Sequence, residues 1–416
     1  MEHYAGIDVS LEYSAVCVVD GSGKIVREGK PASEPEALIG WFGSLGLELT
    51  RIGLEAGPLS QWLYAAMKQA GLAVELLETR HVHDAFKAMP VKSDRNDARG
   101  IAQLMRLGWF RPVHCKSINA QEVRAVLTAR KLVQTKLLDV ENSLRGILRG
   151  FGLKVGKTTA RSFAGRIQEL VEGHPNLEAI GEALLSVRAV LLREFNAFEK
   201  RVRAMARLDA RTRLLMSTPA IGPIVALTYS SAIDDPARFK SSKQAGSHFG
   251  LTPKKHQSGE TDRSGRVSKI GDASVREALY QAAHVMLTKP TKGCSELKGW
   301  AMRIARRAGM RKAKVALARK LAVILHRMLA NGTPFNPAAA AALQGEPGFS
   351  GGSRHQPSRS EVPSPGRWIR SGRHPGCRHI QRCDHAFVDW PTYPPRTPSG
   401  DGLAPIPYRS TSPASG

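Results

Sequence analysis

In KSDRNDARGIAQLMRLGWF, residues 92–110, two aspartates stand three apart at the start of a helical pattern. At that spacing Asp94 and Asp97 share one helical face. Acids in a first turn also simply complement the helix dipole, so the pair alone decides nothing. Two further acids change the weighing. Asp8 falls in the apolar strand YAGID, where a buried carboxylate is costly unless it is paired or metal-bound. Glu55 ends a second apolar strand, RIGLE. Four carboxylates converging from two strands and one helix are hard oxygen donors of the kind that suit Mg2+ or Mn2+. Two such ions can activate an attacking oxygen and stabilise a leaving oxygen in phosphodiester chemistry.

The elements that would bring these acids together can be read in order. Tyr4–Asp8 and Ser14–Val19 are short apolar strands, and Asp20-Gly21-Ser22-Gly23 is a turn leading to a third strand, Lys24–Arg27. A helix follows from about Pro35 to Leu45, then the strand ending at Glu55 and a helix from about Leu59 to Gln69. The strand Ala73–Leu77 and the helix opening at Asp94 close the unit. This order predicts a mixed α/β domain of ribonuclease H-like architecture over residues 1–112, with Asp8 and Glu55 on neighbouring strands.

Residues 113–212 change character. QEVRAVLTARKLVQTKLLDVENSLRGILRGFG and Leu184–Leu208 carry apolar residues at helical spacing among many charges. They predict a long-helix coiled-coil spacer that serves assembly, packed as an antiparallel hairpin or as an oligomerising coiled coil. Residues 213–335 form a third, mostly helical region. There MSTPAIGPIVALTY, residues 216–229, reads as a helix-hairpin-helix element or a plain helical turn. Backbone N–H groups at its hairpin, Gly222 among them, could hold a DNA phosphate without reading sequence. GLTPKKHQSGETDRSGRVSKIGDASVREAL, residues 250–279, is rich in Gly and Ser and carries Lys254, Lys255, Arg266, Lys269 and Arg276, cations suited to phosphate. Ser258 lies inside it. By its chemistry alone it reads as an ordinary loop serine, because a base or metal must activate such a hydroxyl. A basic helix is expected over 303–327.

Composition agrees with a polyanionic partner. The formal net charge of the 416 residues is +25, and phosphate neutralisation by Lys and Arg drives nucleic-acid binding. Residues 1–110 hold 14 Asp/Glu against 11 Lys/Arg, so the whole basic excess lies beyond them. That division suggests chemistry first and grip afterwards. The five cysteines, Cys17, Cys115, Cys294, Cys377 and Cys383, are scattered and form no disulfide framework. No apolar run reaches membrane-span length and no secretory signal opens the chain, so a cytoplasmic, nucleoid-associated protein is expected. Residues 336–416 turn to Gly, Pro, Ser and Arg and predict a disordered basic tail. Its HPGCRHIQRCDH, residues 374–385, matches no trusted zinc spacing.

GID at 6–8, LEAG at 54–57 and KSDRNDA at 92–98 resemble the Asp-Glu-Asp-Asp signature of the DEDD-type insertion-sequence transposases, a family that includes Piv-like DNA invertases. Ala56-Gly57-Pro58 stands where many relatives have Thr-Gly, a departure that touches a turn and no ligand. The resemblance covers roughly residues 1–335. It implies a RuvC-like catalytic domain whose acids are Asp8, Glu55, Asp94 and Asp97. Gly250-Leu251-Thr252-Pro253 and Ser258-Gly259 resemble the family's second-domain segment, which implies that Ser258 is the nucleophile that links to DNA. It further implies a prokaryotic enzyme acting on element ends and target DNA, a homo-oligomer with a composite site, and in some relatives a structured guide RNA. Other readings make different demands. A RuvC-like nuclease or junction resolvase needs the acids but not Ser258. A non-catalytic nucleic-acid-binding protein keeps its affinity without metal. An actin-like ATPase needs a second phosphate loop that the sequence does not show.

Overall fold

The alternation of apolar residues in the first 80 residues produces a twisted sheet with a different helix layer on each face. The computed structural model describes residues 1–87, 91–259 and 261–342. Strands β1 (His3–Val9), β2 (Ser14–Asp20) and β3 (Ile25–Gly29) form an antiparallel meander. Helix α1 (Pro35–Gly43) leads to β4 (Leu49–Glu55), and α2 (Ser60–Gln69) leads to β5 (Val74–Leu77). Both later strands run parallel to β1, in the order β3-β2-β1-β4-β5. Helices α3 (Thr79–Phe86) and α4 (Asp94–Leu107) complete the unit.

Residue parity sorts the two cores. Ala5, Ile7, Val16, Val18, Ile52 and Leu54 pack against Leu38 and Phe42 of α1 and Leu63 and Met67 of α2. Tyr4, Cys17 and Val19 face the other way, toward Ala98, Ile101, Ala102 and Met105 of α4. Two glycines let α4 lie directly on this second face. A Cβ on Gly6 would sit 2.2 Å from the Ala98 carbonyl oxygen and 2.4 Å from the Ala102 nitrogen. One on Gly53 would meet Ile101 Cγ2 at 2.6 Å and Met105 Cγ at 2.8 Å. Backbone cannot yield where side chains can repack. Gly6→Ala is therefore expected to destabilise the chain by about 3 kcal/mol in urea denaturation, and Gly53→Ala by less. Equal stability of the two variants would contradict this packing.

The remainder is mostly helical. Helix α5 (Ile118–Gly150), the short α6 (Phe163–Val171) and α7 (Pro175–Leu208) form a protruding unit. Arg130 pairs with Glu199, and Arg188 with Glu141, so α5 and α7 run antiparallel. Leu144, Leu148, Phe163 and Ile167 make a small core where α6 caps the pair. Val123, Val202, Ala206 and Leu227 root its other end in the C-terminal domain. That domain comprises α8 (Ala210–Met216), α9 (Pro223–Ile233), α10 (Gln244–His248), the hairpin β6 (Pro253–Ser258) and β7 (Thr261–Val267), then α11 (Ala273–Thr288), α12 (Ser295–Ala308), α13 (Met310–Asn331) and α14 (Pro337–Ala342). Asp234 ties the linker before α5 to this domain. Its carboxylate accepts from Ser117 N at 2.8 Å and from Ser117 Oγ at 2.7 Å, and lies 2.7 Å from His114 Nε2.

Several expectations are corrected. Helix α3 is an added element that the strand-and-helix order lacked. The Gly/Ser-rich segment after Leu251 is a two-stranded hairpin and not a loop. The basic helix expected over 303–327 is two helices, because Gly309 adopts φ +87 between α12 and α13. The expected tail at 336–416 begins with the helical residues of α14. Its Cys/His run at 374–385 lies outside the described residues.

Candidate catalytic acids and DNA-binding hairpin

The β1–β4 register pairs Gly6 with Gly53 and Ile7 with Leu54, so Asp8 and Glu55 follow at the same end of adjacent parallel strands. By parity both lie on the α4 face, just beyond the two glycines. Helix α4 starts at that end. Ser93 caps it by accepting from Asn96 N at 3.3 Å, and Asp97 stands one residue before Ala98, which packs over Gly6. The glycine contacts thus carry the first turn of α4 to the ends of β1 and β4. Asp8, Glu55 and Asp97 are half-buried and Asp94 is exposed.

The electrostatics reflect this gathering. Burial pushes the Asp8 carboxyl up to about 6, helped by Asp97, Asp94 and Glu55 in that order, against a smaller pull from Lys92. Glu55 is raised as well, by burial first and Asp97 next. None of the four acids forms an ion pair among the described residues. Among those residues, no three His, Cys, Asp or Glu side chains stand close enough together to hold a metal as they are arranged. The chemistry of the donors nevertheless suits a hard divalent cation: carboxylates only, mutually repelling and lacking a paired counter-charge.

A pH signature follows. Between about pH 4 and pH 6 the folded chain holds a proton on Asp8 that the unfolded chain has released. Stability from this group is full below that window and falls as pH rises through it. Glu55 acts in the same direction. Burial lowers His248 to about 4 and also lowers His326, and these groups act in the opposite sense. The informative quantity is therefore a difference. In metal-free protein Asp8→Asn is expected to melt above wild type at pH 6.5, with the gap closing toward pH 4. A gap independent of pH would contradict the raised Asp8.

Sequence reading missed three side chains beside the acids. Glu28 on β3 accepts from Arg99 Nε at 2.7 Å and from Arg95 Nε at 3.0 Å. Bonds from Arg95, then Arg99, hold the Glu28 carboxyl down at about 2. No local pattern marks Glu28, because its partners lie on a helix that follows two further strands.

The second domain distributes the remaining candidates. Ser258 ends β6, is exposed and pairs with Thr261. The hairpin is solvent-facing on both sides, with Lys254, Lys255 and Arg266 exposed and Lys255 Nζ 3.4 Å from Asp262. Lys269, at its base, is also exposed and adopts φ 56. Arg276 is committed to structure: it donates to the carbonyls of Phe249, Ile270 and Gly271 and closes the base of the hairpin. Between α8 and α9 the left-handed residue is Ala220, at φ 65. Gly222 is the N-cap of α9, and a Cβ there would meet nothing within 4 Å. Arg306, Arg307, Arg311 and Lys312 are exposed where α12 meets α13. The structure brings Asp8, Glu55, Asp94 and Asp97 to one sheet end, and Ser258 to the exposed β6–β7 hairpin. No described helix is long and apolar enough to cross a membrane.

An α/β sheet with acids at one end, followed by a basic, mostly helical region, suits a DNA-processing enzyme. Residues 5–152 match the DEDD transposase model of the IS110 type, and residues 212–296 match the transposase model of the IS116/IS110/IS902 family. The chain belongs to the DEDD-type insertion-sequence transposases. It is 26% identical over 331 residues to the transposase for insertion sequence element IS1111A of Coxiella burnetii, covering 78% of this chain and 88% of that one. The transposase for insertion sequence element IS1328 of Yersinia enterocolitica is 23% identical over 288 residues, covering 68% and 85%. Among solved structures, T. thermophilus RuvC in complex with a Holliday junction substrate matches 27% of this chain and 100% of that one, at 15% identity and a TM-score of 0.22.

Proposed function

We propose that the chain cuts and rejoins DNA by a metal-assisted serine mechanism, with residues 1–112 as a RuvC-like catalytic domain. One observation carries the reading. Asp8, Glu55 and Asp97 are gathered, with no ion-pair partner among the described residues, in a chain of net charge +25. Placing like charges together costs stability that a divalent cation offsets.

When bound, Mg2+ or Mn2+ would stabilise charge on a phosphoryl oxygen and promote deprotonation of an attacking hydroxyl. Asp8, Glu55, Asp94 and Asp97 would hold it. Ser258 is the nucleophile. Its Oγ bonds to a DNA phosphorus as one P–O bond of the strand breaks; its proton leaves to solvent, and the departing oxygen takes up a proton to become a hydroxyl. One phosphoester bond replaces another, so a second strand's hydroxyl can reverse the step and rejoin the DNA. Lys254, Lys255, Arg266 and Lys269 hold phosphates beside the serine, and the open N–H end of α9 at Gly222, as a helix-hairpin-helix element, holds another. The antiparallel helix pair serves as an oligomerising spacer, and a hairpin bare on both faces fits docking onto DNA in an assembly. The cations at the α12–α13 joint suit the backbone of DNA or of a structured guide RNA.

Labelled element-junction DNA, mixed with the protein, flanking-region RNA and Mg2+ and then denatured, is expected to yield a covalent protein–DNA adduct. EDTA should abolish it. Metal-dependent cleavage without an adduct would leave a RuvC-like nuclease or junction resolvase. DNA retention with no cleavage would leave a binding protein.

A further inference from the structure

Helix α4 is held unevenly. Its middle is packed on the sheet through Ala98, Ile101, Ala102 and Met105, all buried. Its first turn extends past the sheet end and carries the two acids that repel Asp8, while Asp97 also repels Glu55. The only ion pairs on this end among the described residues are those that Arg95 and Arg99 make with Glu28. Both arginines reach it with two nitrogens each. At about 100° per residue the arginines project from the helix on the side toward β3, and Asp94 and Asp97 on the side toward β4. Glu28 itself is fixed in the sheet. It pairs across to Cys17 on β2, which pairs to Gly6 on β1, the residue α4 packs upon.

We propose that Glu28 is a positioning residue: its contacts with Arg95 and Arg99 brace the first two turns of α4, holding Asp94 and Asp97 at the sheet end before a metal arrives. The proposal rests on the metal-site reading above. The brace opposes carboxylate repulsion with ion pairs on the far side of the helix, and leaves the acids without an ion pair of their own among the described residues. It preorganises the ligands, so that binding energy is not spent in drawing the helix end inward.

Two full-length variants, Glu28→Gln and Arg95→Gln/Arg99→Gln, test this by Mn2+ titration followed by electron paramagnetic resonance. Both are expected to bind Mn2+ about tenfold more weakly than wild type. The double variant separates a brace from simple charge. It makes the site more negative, which by electrostatics alone tightens Mn2+ binding. Tighter or unchanged binding in the double variant would overturn the proposal. Hydrogen exchange of metal-free protein gives a second readout that does not depend on metal. The amides of Asp97, Ala98 and Arg99 should exchange faster in both variants, while Ile101–Met105 stay protected. Unchanged exchange at 97–99 would also overturn it. A wild-type chain that binds no Mn2+ would count against the metal-site reading, and the exchange result would still decide the brace.

Discussion

Asp97→Asn is expected to lower metal-dependent strand cleavage by about 10³-fold or more, while DNA binding stays within about twofold. Asp97 is the largest charged influence on both Asp8 and Glu55, so its charge acts on two members of the acid group at once. Asparagine keeps the shape and removes the negative oxygen that a hard cation requires. Binding depends on a different part of the chain, because the basic excess lies outside residues 1–110. Nor should the variant unfold. Removing a charge that repels two neighbours leaves metal-free stability equal or slightly higher. Mg2+ should then raise the melting temperature of wild type more than that of Asp97→Asn. Single-turnover cleavage, filter binding and melting on the same preparations would separate these effects. Unaltered cleavage by Asp97→Asn would remove the metal role from this group.

Ser258→Ala is expected to abolish the covalent adduct, a loss of three orders of magnitude or more, comparable to deleting the nucleophile of other covalent enzymes. Its Oγ is exposed at the end of β6, and the hairpin buries almost nothing. The substitution should therefore leave folding within about 0.5 kcal/mol of wild type. Mn2+ binding should not change either, since the serine stands on the β6–β7 hairpin and the acids at the β1–β4 sheet end. This combination of intact fold, intact metal binding and no adduct is the expected signature. An adduct that survives Ser258→Ala would assign the link to another side chain.

What was legible in the sequence was what local pattern encodes. The five strands and the helices flanking β4 are close to where alternation and turns place them, and the acids stand out because Asp8 interrupts an apolar run. What was not legible depends on partners distant along the chain. Gly6 and Gly53 look like ordinary strand glycines until α4 lies across them. Glu28 looks like a charge on an edge strand until Arg95 and Arg99 arrive. The strands β6 and β7 have no apolar face to alternate, since nearly all of their residues are exposed, and so their pairing left no periodic signal. Arg276 resembled its cationic neighbours, yet three carbonyls at the hairpin base claim it.

The helix pair carries a consequence of a different sort. With 33 and 34 residues, α5 and α7 each span about 50 Å, the rise of about fifteen base pairs of duplex DNA. The shaft has a small core at each end, and two Arg–Glu pairs clasp it along its length. Its length is therefore fixed by the count of its helical residues. Matched excision of seven residues from both helices would shorten it by about 10 Å and leave both end cores intact. Any partner that engages both ends is held to a separation set by the number of helical residues between them, and by no contact at either end.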